Sequence, residues 1–160
     1  MKVSLIVLLA FFFTACPEEM NYAPAKPDSE KIDPALIGTW VTDNSSADIY
    51  EVRIEKASAY SYNVEALNVN TNYNVGTMFY KMWVTKIGKH KYVYARADNK
   101  DTYYVYHYKF DGKDKFELSQ LEYMIEGSNG IKSTEALRKE IDLSMKLGDC
   151  LKDQVIYTRK

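Results

Sequence analysis

Read from its residues, the chain specifies a mainly β domain: an antiparallel barrel or strongly curved meander of about eight strands, with one helix before the last strand. Three observations predict it. Apolar and polar residues alternate with period two in segment after segment from residue 36 onward. Short clusters of Gly, Asp, Asn and Lys separate those segments, as hairpin connections do. Only one stretch has helical periodicity, while the thirteen tyrosines after Pro34 favour strands elsewhere.

Leu36 to Thr42 is the first short strand. Ile49 to Lys56 sets Tyr50, Val52 and Ile54 against Glu51, Arg53 and Glu55, the pattern of a strand buried on one face. Ala57-Ser58 is a tight connection, after which Tyr60, Tyr62, Val64 and Ala66 alternate with Ser61, Asn63 and Glu65. Val75 to Ile87 is apolar on both faces, with Phe79 and Trp83 on one and Met78, Tyr80, Met82 and Val84 on the other, so it must bend or be covered on both sides. Turn signals at Gly88-Lys89, Asp98 to Asp101 and Asp111 to Asp114 then delimit His90 to Ala97, Thr102 to Phe110 and Lys115 to Met124. Ser133 or Thr134 caps a helix that Gly148 stops. Leu137, Ile141 and Met145 form its main apolar row, flanked by Ala136, Leu143 and Leu147 and broken by Glu140 and Ser144. Gln154 to Arg159 is a final strand able to pair with the first.

The residues before this domain differ in composition. Lys2 precedes a thirteen-residue, mostly apolar run from Val3 to Ala15, too short to span a bilayer as a helix. It ends in Phe13-Thr14-Ala15-Cys16. This order of an apolar residue, two small residues and cysteine resembles the lipobox of bacterial lipoproteins cut by signal peptidase II, with Phe13 in place of the usual leucine. The resemblance implies that residues 1–15 are a signal peptide and that Cys16 is lipidated. It also implies a location in the cell envelope, anchored to a membrane that is expected to be the outer one. At about 0.8 kcal/mol per buried CH₂, several acyl chains on one residue hold durably where one does not. Ordinary secretion would instead leave Cys16 a free thiol.

Residues 16–34 contain all four prolines, together with Glu18, Glu19, Asp28, Glu30 and Asp33, and read as an extended tether. In polyproline form it would reach roughly 55 Å. Glu18-Glu19 resembles the acidic export signal of some Bacteroidota lipoproteins, although a solvated linker has the same composition.

Residues 35–160 then form one domain, large enough to fold without staples. Of the two cysteines, lipidation consumes Cys16 and leaves Cys150 as a small, partly buried apolar residue. A net charge of −1 with no basic block argues against nucleic acid and against electrostatic membrane binding.

Gly38-Thr39-Trp40 at the head of the first strand resembles the Gly-x-Trp of lipocalins and related calycins. In that family the tryptophan closes the barrel base under a basic side chain near the last strand, which here implies Arg159. The helix lies before the last strand, unlike the main helix of lipocalins, and no second lipocalin motif is present.

If Ala97 faces Thr102 across their loop, Lys91, Val93 and Ala95 oppose Tyr108, Tyr106 and Tyr104 on one face. Tyr92 opposes His107 and Tyr94 opposes Val105 on the other, with His90 diagonal to His107. Two histidines could begin a metal site or an acid/base pair, but no third ligand is identifiable and no hydrolase motif or phosphate-cradling loop occurs. No metal, cofactor or catalytic activity is therefore expected. Tyr104, Tyr106, Tyr108, Tyr92 and Tyr94 are the binding candidates, because amphipathic rings supply contact area at low entropy cost.

The expected function is that of an envelope lipoprotein with a non-enzymatic binding domain, for a small apolar or aromatic ligand or for a partner protein. Two alternatives stand beside it: an inhibitor or immunity-type lipoprotein blocking a secreted enzyme, and a metal-dependent enzyme using His90 and His107.

Overall fold

The structure, a computed structural model, describes residues 18–45, 47, 49–68 and 76–160. The expected signal peptide, Cys16 and the expected start of the long strand at Val75 lie outside these residues. Among the described residues nine strands form one antiparallel sheet: β1 (Glu19–Met20), β2 (Gly38–Val41), β3 (Ile49–Lys56), β4 (Tyr62–Asn68), β5 (Gly76–Ile87), β6 (His90–Ala97), β7 (Tyr103–Phe110), β8 (Lys115–Leu121) and β9 (Leu151–Arg159). Strands β2 to β9 pair in sequence order, and β9 returns to β2 through Trp40↔Arg159 and Val41↔Thr158, closing an eight-stranded barrel. The predicted fold is the observed one.

The long strand β5 is covered on both sides, as its two apolar faces require. Met82 and Val84 point into the barrel with Ile54, Val64, Val93 and Tyr108. Trp83 and Ile87 point outward, into a second core with Tyr92, Tyr94, Val105, Leu137 and Ile141. This outer core is roofed by helix α2 (Thr134–Leu147), which follows a single helical turn, α1 (Gly127–Gly130). The Ser133 hydroxyl accepts the Ala136 N–H at 3.1 Å, and Gly148, at φ 79°, ends the helix in a conformation that disfavours other residues.

The polar interruptions in the helix stripe are buried rather than solvated. The carboxyl oxygens of Glu140 accept the backbone N–H groups of Ile125 (2.8 Å) and Glu126 (3.1 Å), and Ser144 Oγ accepts that of Met124 (3.0 Å). These donors belong to the segment that leaves β8, where no ladder partner meets them. Cys150 is buried beside the same helix with its Sγ 3.3 Å from Met145 Sδ, and burial raises its thiol pKa.

The tether expectation is corrected for residues 18–34. β1 adds to the edge of β7 through Glu19↔Tyr104 and Met20↔Tyr103. Met20, Ala23, Pro24 and Ala25 are buried in the outer core. The acidic residues that read as solvating groups act as fasteners. Asp28 accepts the Trp83 Nε1–H at 3.0 Å, Glu30 accepts the Thr85 hydroxyl, and Asp33 accepts Lys91 at 2.8 Å. Arg138 on α2 donates to the Pro24 carbonyl at 2.8 Å. The segment has too few apolar residues to bury a core of its own, but it lies over apolar surface supplied by the sheet and α2.

Smaller differences are local. Residues 34–36 form a 3₁₀ turn, so the first strand begins at Gly38. β8 stops at Leu121, and β9 starts earlier than its alternation shows, at Leu151.

Candidate functional site

Period two along β7 puts Tyr104, Tyr106 and Tyr108 on the inner face of the barrel, with Lys91, Val93 and Ala95 of β6 opposite them in the predicted register. The three tyrosines line a cavity of about 330 Å³. Apolar side chains make up most of its wall, among them Val52, Val64, Met82, Leu118 and Val155. The lining residues that carry polar groups are Tyr80, Tyr104, Tyr106, Tyr108, Tyr157, Gln120 and Asp153. Burial raises the pKa of Tyr80, Tyr104 and Tyr108, and the Tyr104 and Tyr108 hydroxyls donate to Glu19 and Asp33.

One end of the cavity is sealed. Trp40 is fully buried there, its Nε1–H donating to the Leu36 carbonyl at 2.8 Å and its ring meeting Phe116 edge-on at 4.8 Å between centroids. The Arg159 guanidinium lies 4.1 Å from the indole centroid and donates to the carbonyls of Ile37 (2.8 Å) and Ala35 (3.0 Å). Gly38 completes this clamp. Its φ is 145°, and a Cβ there would come within 2.4 Å of Arg159 Nη1. Beside the clamp, Asp33 ties the 3₁₀ turn to the floor by accepting from Lys91 at 2.8 Å and from the Tyr108 hydroxyl at 3.1 Å. Burial works to raise the pKa of Asp33, but the Lys91 bond and its other donors outweigh it, and the net shift is downward.

The other end is the mouth, where Met78, Tyr80, Tyr104, Gln120 and Asp153 line the cavity. The rim there is fastened by β1. Glu19 accepts from Lys100, from the Tyr104 hydroxyl at 2.6 Å and from the Thr102 hydroxyl at 2.7 Å. The Lys100 bond chiefly, with the two hydroxyls, holds the Glu19 pKa down to about 2. Glu18 accepts the Ser128 hydroxyl, so both residues of the acidic pair are bound into the fold.

Tyr92 and Tyr94 are corrected as ligand candidates. The alternation that turns Val93 and Ala95 inward turns both tyrosines outward, where they are buried in the outer core with Leu137 and Ile141. Tyr94 stacks on Trp83 at 5.5 Å. The histidines meet on the same outer face, with His90 and His107 ring centroids 5.5 Å apart. Among the described residues, no group of three or more His, Cys, Asp or Glu side chains could hold a metal.

His107 is only 6% exposed, and neither its Nδ1 nor the buried Tyr92 hydroxyl meets a hydrogen-bond partner among the described residues. Burial, with minor contributions from His90 and Lys109, pushes the His107 pKa down to about 4. The unfolded chain, with a histidine pKa near 6.5, therefore binds more protons than the folded one between these values. Stability should be retained above pH 6.5 and fall as the pH drops through that window toward 4. Urea unfolding at pH 7, 5.5 and 4.5 checks this, and His107→Gln should flatten the slope.

Sequence reasoning missed Asp153, Gln120 and Tyr80 as cavity-lining groups. Asp153 lies in a stretch of β9 that lacks alternation, and it adopts a φ of 47°. Among the described residues no helix is long and apolar enough to cross a membrane. The chain matches no protein-family model, no curated protein and no solved structure.

Proposed function

We propose that the protein is a lipid-anchored lipoprotein of the bacterial cell envelope whose lipocalin-like barrel binds one small, mostly apolar ligand. The observation that carries this reading is the 330 Å³ cavity inside a closed barrel, walled by apolar side chains and by the Tyr104, Tyr106, Tyr108 row. Ligand sites of this kind combine an apolar wall with a few placed polar groups, and this volume lies at the small end of their range. The clamp of Gly38, Trp40 and Arg159 supports the likeness to lipocalins, since a sealed floor leaves a cup rather than a channel. Cys16 supports the anchor, with the lipobox-like residues before it.

Ala95 faces Tyr104 across the hairpin and lines the cavity, so Ala95→Trp should fill it from one wall. Titration with an environment-sensitive apolar dye is expected to show at least about a tenfold loss of affinity for this variant, with the circular dichroism spectrum unchanged. Equal dye binding by both proteins would count against the cavity as the site. Native mass spectrometry of the detergent-extracted protein should show a co-purifying small molecule.

A further inference from the structure

We infer that the barrel mouth opens toward the membrane that holds the anchor, and that its ligand is a single-chain amphiphile with a neutral or amine-bearing head drawn from that membrane. This rests on the binding and anchoring reading above.

The orientation follows from chain geometry. Glu19 pairs with Tyr104 at the mouth, and its carboxylate accepts the hydroxyl of the same cavity-lining residue at 2.6 Å. Cys16 precedes Glu19 by three residues in the sequence, and a fully extended chain spans about 3.3–3.6 Å per residue, so a group attached there has a reach of no more than roughly 11 Å of backbone from Glu19. Acyl chains on Cys16 would therefore enter the bilayer beside the mouth, while the Trp40 floor would point away. The apolar side chains of Met78 and Phe79, 41% and 57% exposed near the start of β5, lie at this same end.

The class of ligand follows from the wall. A cavity of this size suits one chain rather than two. The strand from Tyr104 to Tyr108 gives it a depth of about 13 Å. Among the described residues, none that line the cavity is Lys or Arg, and the one ionisable carboxyl group in the lining is that of Asp153, at the mouth. Lys100 at the rim is engaged by Glu19. An anionic head would meet Asp153 with no cation to offset it, whereas a hydroxyl or ammonium head would find acceptors in Asp153 and Gln120.

The test uses the full lipidated chain, its acylation confirmed by mass, in phosphatidylcholine vesicles. A fluorophore is placed on Phe79→Cys at the mouth end or on Tyr60→Cys in the β3–β4 turn at the floor end, native Cys150 being buried. Nitroxide lipids should quench the first label and aqueous iodide the second. Equal responses, or the reverse, would overturn the orientation. A monoacylglycerol, an alkylamine and a fatty acid of one chain length are then compared as cavity ligands at pH 7. The first two should bind at least about tenfold tighter than the third. Asp153→Asn should strengthen fatty acid binding and weaken alkylamine binding. Fatty acid binding as tight as the others would overturn the ligand class while leaving the cavity reading intact, and binding of none of the three would remove both.

Discussion

Trp40→Ala should destabilise the barrel by about 3–5 kcal/mol, the range for removing a large buried aromatic side chain. Four losses coincide at this position. The indole is fully buried, its N–H satisfies the Leu36 carbonyl, its face carries the Arg159 guanidinium, and its edge meets Phe116. The cation–π contact alone contributes about 0.5–2 kcal/mol. Arg159→Lys separates the parts, because an ammonium keeps the charge but loses the fork that reaches two carbonyls, and about 1–2 kcal/mol should be lost. Urea unfolding followed by far-ultraviolet circular dichroism measures both without relying on tryptophan emission. A loss below about 1 kcal/mol for Trp40→Ala would mean that the floor is not where closure is secured.

Glu140→Ala is expected to cost about 2–4 kcal/mol, a large effect for a charged residue on a helix. The side chain is 3% exposed and accepts the N–H groups of Ile125 and Glu126 as well as the Ser144 hydroxyl at 3.2 Å. Truncation would strand two backbone donors beneath α2, where water does not easily replace the acceptor. Glu140→Gln keeps one acceptor oxygen and should lose roughly half as much. Hydrogen exchange localises the effect: the amides of Ile125 and Glu126 should lose protection in Glu140→Ala while those of β6 keep it. Uniform loss across the barrel would contradict a local role.

These two residues show what was legible in the chain and what was not. Trp40 announced itself, because Gly-x-Trp at a strand head and a late arginine form a pattern that survives without any knowledge of packing. The register of β6 and β7 was equally readable, since one hairpin loop and strict alternation fix which tyrosines share a face. Glu140 was visible only as a fault in an apolar stripe. Its meaning depends on amides fifteen and fourteen residues earlier, whose lack of a ladder partner is a tertiary fact. The segment before Pro34 was misread for a related reason. Proline and acidic composition reports what a segment cannot bury by itself, and it is silent about surface offered by a neighbour. Here Asp28, Glu30 and Asp33 each found a donor on β5 or β6. The cavity is intermediate in this respect: the inward tyrosine row was predictable, whereas the position of Asp153 at its mouth depends on an irregular strand.

The closure of β9 onto β2 has a consequence for the order of events in the life of the chain. Arg159 donates to the carbonyl of Ile37 across 122 positions, and β9 supplies ladder partners to both β2 and β8. Until that last strand is available, β2 and β8 are open edges and the floor has no cation over its indole. Such long-range closure makes for slow folding. A nascent chain would therefore be unable to close the barrel until β9 had emerged and become free to pair.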